Sequence, residues 1–453
     1  MRIDVLVAEI GSTTTVVNAF NIHEEPVVFL GRGLHQTTVD TDVREGLQGA
    51  IDDLRKNLGV DLLTYGELYA SSSAAGGLKM TVHGLVYEMT VKAAKEAALN
   101  AGGNIHLVTA NQIDDIHLEK IKSIKPNIVV VAGGTDYGEQ EVSYNNTVLL
   151  AQLGIPMIYA GNIANHERIK KLGYSHIRMV DNVYPRVDDF NIMPLREAIY
   201  ETFEKHIIHA KGMEHVFQMV QKGIIPTPGA VMDTTMLLHE LFQGVMTLDV
   251  GGATTDVHSI SEPKMEFKRM LEGQPLMKRS VEGDLGVYIN RISVLKTYKE
   301  SEINRVFGRS KEEIISILQQ EPFIPQTQEG QEIIDHLTER CVELALDRHV
   351  GDLKRIFTTN GYQVIPEGKD TTQVKAIFLT GGALRYANHP EQMIRRYLCS
   401  SRSTPRAPSA SWPPPWASAW AKPIIVSRLL WIRAWSRWGV FVATRTRAST
   451  PTC

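Results

Sequence analysis

"LDVGGATTDV", residues 248–257, runs an apolar strand into an acid, turns through two glycines, and leaves through two threonines and a second acid. The same grammar occurs earlier, in "EIGSTTTVV" at residues 9–17. Set 240 residues apart, the stretches match Gly11 with Gly251, Thr14 with Thr254, Thr15 with Thr255 and Val17 with Val257. Glu9 and Asp249 pair as acids, and Ile10 and Val250 as β-branched strand residues. A repeat of this kind implies two copies of one architectural unit. Glycine lets backbone N–H groups approach an anion, the hydroxyls of Ser12, Thr13, Thr14, Thr254 and Thr255 add donors, and an acid at each strand end suits a Mg²⁺-bound water. Either hairpin alone also reads as a tight turn built from turn-favouring residues. As a pair they read as a clamp for a triphosphate and its metal.

Outward from the first hairpin the chain alternates strands and helices. "IDVLVAEI", "VVNAFNI" and "EEPVVFLGRG" read as three strands joined by short turns, an antiparallel start. "VREGLQGAIDDLRKNLG" has helical apolar spacing and stops at Gly59. "GELYASSS" reads as a fourth strand, "AAGGLKMTVHGLV" as a glycine-containing turn and "TVKAAKEAALNAGG" as a helix. "NIHLVTA", "PNIVVVAGGTD", "IPMIYAGN" and "HIRMVDN" are strands separated by helices, which predicts a parallel sheet with crossovers. From residue 195 to about 243 the pattern is mainly helical, and then the second hairpin restarts the unit.

A third signal, "KAIFLTGGALRYANHPE" at residues 375–391, is an apolar strand, Gly381-Gly382 and a helix, a surface on which a flat base and ribose can lie against exposed backbone. In kind and order the three motifs resemble the phosphate-1, phosphate-2 and adenosine motifs of the actin-like ATPase superfamily, which includes actin, the heat-shock chaperone ATPases and sugar kinases. Within it, "LVAEIGSTTTVVNAF", "VVVAGGTDYGEQEVS", "GIIPTPGAVMDTTMLL", "TLDVGGATTDVHSI", "RSVEGDLGV" and "FLTGGALRY" resemble the MutL (GlmL) family associated with adenosylcobalamin-dependent glutamate mutase and related mutases. That family is not the DNA mismatch-repair protein of the same name. The resemblance covers residues 1 to about 398. It implies an α/β fold of two actin-like, ribonuclease H-like domains around a nucleotide cleft. It further implies ATP and Mg²⁺ as cofactors, and a chaperone-like factor that helps a mutase release damaged cobalamin. Carried onto this sequence, Glu9 and Asp249 are the catalytic and metal-water acids. Gly11, Ser12, Thr13, Thr14, Gly251, Gly252, Thr254, Thr255, Gly381 and Gly382 are the nucleotide contacts. The partner is a set of mutase subunits. A small-molecule kinase and a non-catalytic actin-like scaffold stand as alternatives, although no isolated acid announces itself as a kinase base.

Composition sets the outer limits. At 453 residues and 43% hydrophobic the chain has room for two or more domains. Three scattered cysteines, Cys341, Cys399 and Cys453, make no disulfide or zinc pattern and fit a reducing cytoplasm. No run approaches a membrane span and the N-terminus lacks a cleavage signal, so neither membrane nor export is expected. The net charge of −3 hides an asymmetry: residues 392–453 hold nine Arg and Lys422 without one Asp or Glu, and all six tryptophans fall there. The expected division is therefore residues 1–240, a first domain with an inserted α/β segment; 241–398, a second domain; and 399–453, an atypical tail. The tail reads as out-of-frame sequence, irregular from about Ser400. A single-stranded nucleic-acid-binding segment is the weaker alternative, so no specific nucleic-acid partner is expected.

Three further clusters have competing readings. Gly133, Gly134 and Asp136 in "VVVAGGTDYGEQ" follow a strand but lack the GxGxxG spacing, favouring a structural or partner-facing role over a phosphate loop. Glu282 and Asp284 lie either near the cleft or on a solvated turn. His206, His209 and His215 have no acid or cysteine at ligand spacing and read as ordinary histidines. No GxSxG nucleophile motif is present.

Overall fold

In the first sheet, β1 (Arg2–Ile10) lies between β2 (Thr14–Asn21), antiparallel, and β4 (Thr64–Ser72), parallel, with β3 (Val28–Gln36) beyond β2. The computed structural model describes residues 1–24, 26–38, 41–73, 78–207, 212–263, 275–358, 361–403 and 422–425. Because strand side chains alternate faces, Leu6, Ala8 and Ile10 enter the main core while Val5 and Val7 join a smaller cluster on the other side. Glu9 continues the Val5 and Val7 face. The helix Val43–Asn57, capped by Asp42 accepting from Arg44 N at 2.9 Å, buries Val43, Leu47, Ala50 and Leu54 against the main-core face. Glu9 is thereby left facing away from that helix.

Between β4 and the strand that completes this sheet, the chain builds an inserted unit. It comprises β5 (Leu78–Gly84), β6 (Gly103–Ala110), β7 (Ile128–Val131), β8 (Met157–Tyr159) and β9 (Ile177–Met179), all parallel in the order β6-β5-β7-β8-β9. Strand β5 corrects the turn expected at "AAGGLKMTVHGLV". Two glycines and the polar Lys79 and His83 disguise it, but Lys79 points to solvent and His83 is absorbed into the core. The His83 ring bonds the Thr109 and Thr81 hydroxyls at 2.7 and 2.9 Å, and burial pushes its pKa down to about 3. The chain then returns to the first sheet as β10 (Ile225–Pro226), parallel to β4.

The helix Thr227–Phe242 leads into the second sheet. There β11 (Val245–Val250), β12 (Thr255–Ile260) and β13 (Met277–Glu282) are antiparallel neighbours, and β14 (Asp352–Thr358) and β15 (Gly361–Glu367) make a separate hairpin. Next come β16 (Ala376–Thr380), parallel to β11, and β17 (Lys422–Ile425), parallel to β16. The two sheets have the same order and senses, β3-β2-β1-β4-β10 and β13-β12-β11-β16-β17. Two α/β domains of one topology, each with three antiparallel strands followed by two parallel ones, are what the repeat predicts. The tail contributes more than the sequence suggests: the helix Pro390–Ser403 passes residue 398, and β17 lies within the tail. Two consecutive isoleucines favour a strand, and Pro423 is tolerated because the position is at a sheet edge.

Candidate functional site

Both hairpins close in the same way. Gly11 N donates to Thr14 O and Gly251 N to Thr254 O, each at 2.9 Å, so these two amides hold the turns. The tips face each other: a Cβ at Gly252 would lie 2.8 Å from Thr13 Oγ1, so a larger residue there would push the Thr13 side chain aside. Gly381, at φ +87°, is more tightly constrained, since a Cβ there would sit 2.3 Å from Asp249 Oδ1 and 2.4 Å from Val250 O. All three motifs therefore meet. They border a cavity of about 710 Å³ lined by Glu9, Thr13 and Thr14 from the first hairpin, Gly252 from the second, and Thr380, Gly381 and Gly382 from the third motif. That volume falls in the range of about 300–1,000 Å³ common for small-molecule sites.

Charge accumulates beside the cavity: Glu9 lines it, and Asp249, which does not, lies against Gly381, which does. Burial raises the Glu9 pKa, partly offset by Arg32, and burial raises that of Asp249 well above the carboxylate range, with the charges of Glu9 and Asp256 adding to the effect and Arg279 opposing it. Two half-buried acids, one of which raises the other's pKa, make a place where a divalent cation would be stabilised. The Asp249 carboxylate, in contact with Gly381 and opposed by Glu9, thus fits a Mg²⁺ with its waters. Gly381 and Gly382 line the cavity, and a Cβ on Gly382 would meet nothing within 4 Å, so this stretch of backbone is open to a ligand.

Some expected contacts have other duties. The Ser12 hydroxyl donates to Ser73 O at 3.2 Å, tying the first hairpin to the end of β4. Thr254 Oγ1 donates to Asp256 Oδ2 at 3.3 Å, and Thr255 is fully buried, donating to Leu285 O at 2.7 Å. Thr255 therefore belongs to the second domain's interior. Glu282 and Asp284 do not line the cavity; both receive the Arg348 guanidinium, at 2.6 and 2.7 Å. His209 and the side chain of His206 lie outside the described residues. Among the described residues no cluster of three or more His, Cys, Asp or Glu side chains could hold a metal, and no helix is long and apolar enough to cross a membrane.

Other residues of the site escaped the sequence reading. Arg32 of β3 lines the cavity and donates through Nε to Asn18 Oδ1 of β2 at 2.9 Å. Their only signal is a polar residue in the middle of each strand, Asn18 in β2 and Arg32 in β3. Val231, Thr234 and Leu238 form a stripe on one face of the helix Thr227–Phe242, and Phe323, Ile324 and Pro325 close the cavity from a loop without a motif. Arg279 of β13 is buried and makes an ion pair with Asp256, its Nε donating to Oδ1 at 2.9 Å. Its other end reaches the first domain's side, where Nη1 donates to Leu99 O and, at 3.5 Å, to Gly103 O.

The sequence profile of the family described as "MutL protein" matches residues 5–413. This chain belongs to the MutL family. Protein MutL of Clostridium tetanomorphum is 31% identical over 411 residues, which cover 86% of this chain and 88% of that one. Among solved structures, a glycerol dehydratase reactivase aligns over 87% of this chain and 95% of its own at 10% identity and a TM-score of 0.32. A xylulose kinase from Bifidobacterium adolescentis aligns over 86% of this chain and 87% of its own at 12% identity and a TM-score of 0.24. These last two likenesses are too distant to carry an argument.

Proposed function

We propose that this MutL-family chain binds and hydrolyses Mg·ATP in the cleft between its two domains, and uses the nucleotide to act as a reactivating chaperone for an adenosylcobalamin-dependent mutase, promoting release of damaged cobalamin. The observation that carries the reading is the meeting of three motifs: Thr13 against Gly252, and Asp249 against Gly381 with Glu9 beside it. Glu9 and Asp249 would hold the metal's waters, Thr13 and Thr14 would donate to phosphate oxygens, and Gly381 with Gly382 would seat the adenosine. Bound Mg²⁺ would supply charge neutralisation for the phosphates. Nucleotide drives a chaperone only by binding its two states unequally, so mutase affinity must differ with and without ATP.

Calorimetry with ATP and Mg²⁺, followed by mutase binding in the presence and absence of nucleotide, tests both halves. The expected result is Mg²⁺-dependent ATP binding and an ATP-dependent release of mutase. ATP consumption that requires a sugar or organic acid, with a phosphorylated product, would replace this reading by a kinase.

A further inference from the structure

Among the described residues fourteen large apolar side chains are exposed, and six of them occupy one edge of the inserted unit. Val86, Tyr87, Ile116, Tyr137, Ile163 and Val187 all lie on connections that leave the carboxyl ends of β5 to β9, so every strand of the sheet contributes at least one. Scattered apolar residues on a surface are ordinary; a set gathered on one edge is not. Hydrogen bonds join the loops after β7, β8 and β9 into one plate. Asp136 N donates to Pro185 O at 2.9 Å, Asp136 Oδ1 accepts from Ile163 N at 3.1 Å and from Asn182 Nδ2 at 2.9 Å, and Tyr137 N donates to Asn162 Oδ1 at 3.0 Å.

Backbone strain gathers on the same edge. Among the described residues five non-glycines have left-handed φ; Lys125 and Gln243 are helix C-caps, a usual place for that conformation. The other three, Asn111 at +68°, Tyr137 at +61° and Asp188 at +60°, all lie on this rim. Tyr137, the most exposed of the fourteen at 80%, is thus held by its loop in a conformation that bulky residues avoid.

A small ligand is not what the edge is shaped for. In sheets of this strand order ligands enter where the order reverses, here between β5 and β7. That crevice is narrow: even a single methyl on Gly133 would touch Ser143 Cβ at 3.1 Å and Leu85 Cβ at 3.5 Å. The following helix, Glu141–Ala151, has its leading amides occupied, because Glu139 Oε1 accepts from Glu141 N and Val142 N at 2.8 and 2.9 Å. An anion would find its donors taken and a carboxylate in its place.

Charge narrows the choice of occupant. Exposed Glu139, Asp181, Asp188 and Asp189 share the rim with Arg186, while Glu88 faces Lys92 at 3.9 Å. An acidic rim repels nucleic acid and anionic lipid and attracts lysine and arginine. We infer that this edge of the inserted unit is a protein-docking surface whose occupant is a client protein presenting an apolar patch bordered by basic residues. The assignment of that client as the mutase rests on the function proposed above.

The test uses the full chain carrying Tyr137→Asp with Ile163→Asp, and purified subunits of an adenosylcobalamin-dependent glutamate mutase as the probe. Mutase affinity should fall at least about tenfold, as expected when a central tyrosine anchor is lost. Mg·ATP affinity and melting temperature should stay as in the parent, and parent affinity for mutase should drop as salt rises. Variants that bind mutase as the parent does would overturn the docking surface and leave the nucleotide function standing. A parent chain that binds Mg·ATP but no mutase would overturn the client reading and this occupant with it. A self-dimer that the substitutions dissociate, or binding to phosphatidylcholine vesicles that they abolish, would assign the edge to a second copy or to lipid and overturn the proposal.

Discussion

Residues 9–17 and 249–257 follow one backbone path, closed by the same 2.9 Å bond from the first glycine, yet they carry different cargo. Where the first hairpin has Val16, the second has Asp256, ion-paired with buried Arg279. Where the first has Ser12, anchored on Ser73, the second has Gly252, kept small opposite Thr13. Glu9 has Arg32 as its compensating charge, whereas Asp249 faces Glu9 and Asp256 and has Arg279 to oppose them. Duplication preserved the turn while the roles diverged: the first copy offers donors on a neutral ladder, and the second concentrates charge that must be held in place from outside its own strand.

The largest effect should come from cutting that outside support. Arg279→Met leaves Asp256 buried without its partner, and a broken buried pair costs about 3–5 kcal/mol. Val16→Ala at the matching position of the first hairpin removes only two methyl groups from a half-buried residue, at about 1 kcal/mol. Denaturant melts of the two variants compare the copies directly, and equal losses would end the asymmetry.

Next comes Asp249→Asn. An acid whose folded pKa is raised holds its proton more tightly in the folded state, so its stabilising contribution is full below the unfolded pKa and disappears as pH climbs through the folded one. The nucleotide-free protein should therefore lose stability as pH rises above the ordinary carboxylate range, and Asp249→Asn should flatten that slope. At pH 7 the variant should melt higher by roughly 2–4 °C, the equivalent of about 1 kcal/mol in domains of this size. It should also bind Mg·ATP about tenfold more weakly, as loss of a charge-assisted contact implies. Scanning calorimetry across pH, with and without Mg·ATP, reads both. A lower melting temperature would mean that the acid is stabilising on its own account.

Threonines separate the copies more gently. Thr255→Ala deletes a buried bond to Leu285 O and should cost about 1 kcal/mol of stability with nucleotide affinity unchanged. Thr14→Ala should do the reverse, weakening Mg·ATP a few-fold with little change in melting. The smallest effect is expected from ending the chain at Ser403. Four residues pairing at a sheet edge add little, and the melting temperature should shift by less than about 2 °C.

What the sequence made legible follows from how local each signal is. The hairpins, the strand preceding Gly381-Gly382 and the four strands β6 to β9 announce themselves through apolar runs that end at glycine or polar turns. Strand β5 stayed hidden because His83 is polar in sequence and becomes neutral core only when Thr81 and Thr109 arrive beside it. Arg32 and Arg279 were invisible for the same reason: a cation within a strand has no meaning until the sheet places a carboxylate or a cleft in front of it. The duty of Thr255 was misread because its partner, the Leu285 carbonyl, is thirty residues away, and nothing in "RSVEGDLGV" marks that carbonyl as an acceptor.

Arg279 also grips the carbonyls of Leu99 and Gly103, at the turn between the helix Lys92–Asn100 of the inserted unit and β6. One guanidinium is therefore shared between Asp256, whose charge acts on Asp249, and the inserted unit. Free energy exchanged through a shared group is exchanged in both directions. Whatever tilts the inserted unit far enough to loosen those two carbonyls must also alter the field at Asp249, and by the same factor a cation arriving at Asp249 must alter how firmly that unit is rooted. Arg279 thus acts as a bearing between the two, held by three hydrogen-bond acceptors, Asp256 on one side and two backbone oxygens on the other, next to the bond that Asn100 Nδ2 donates to Met277 O at 3.1 Å.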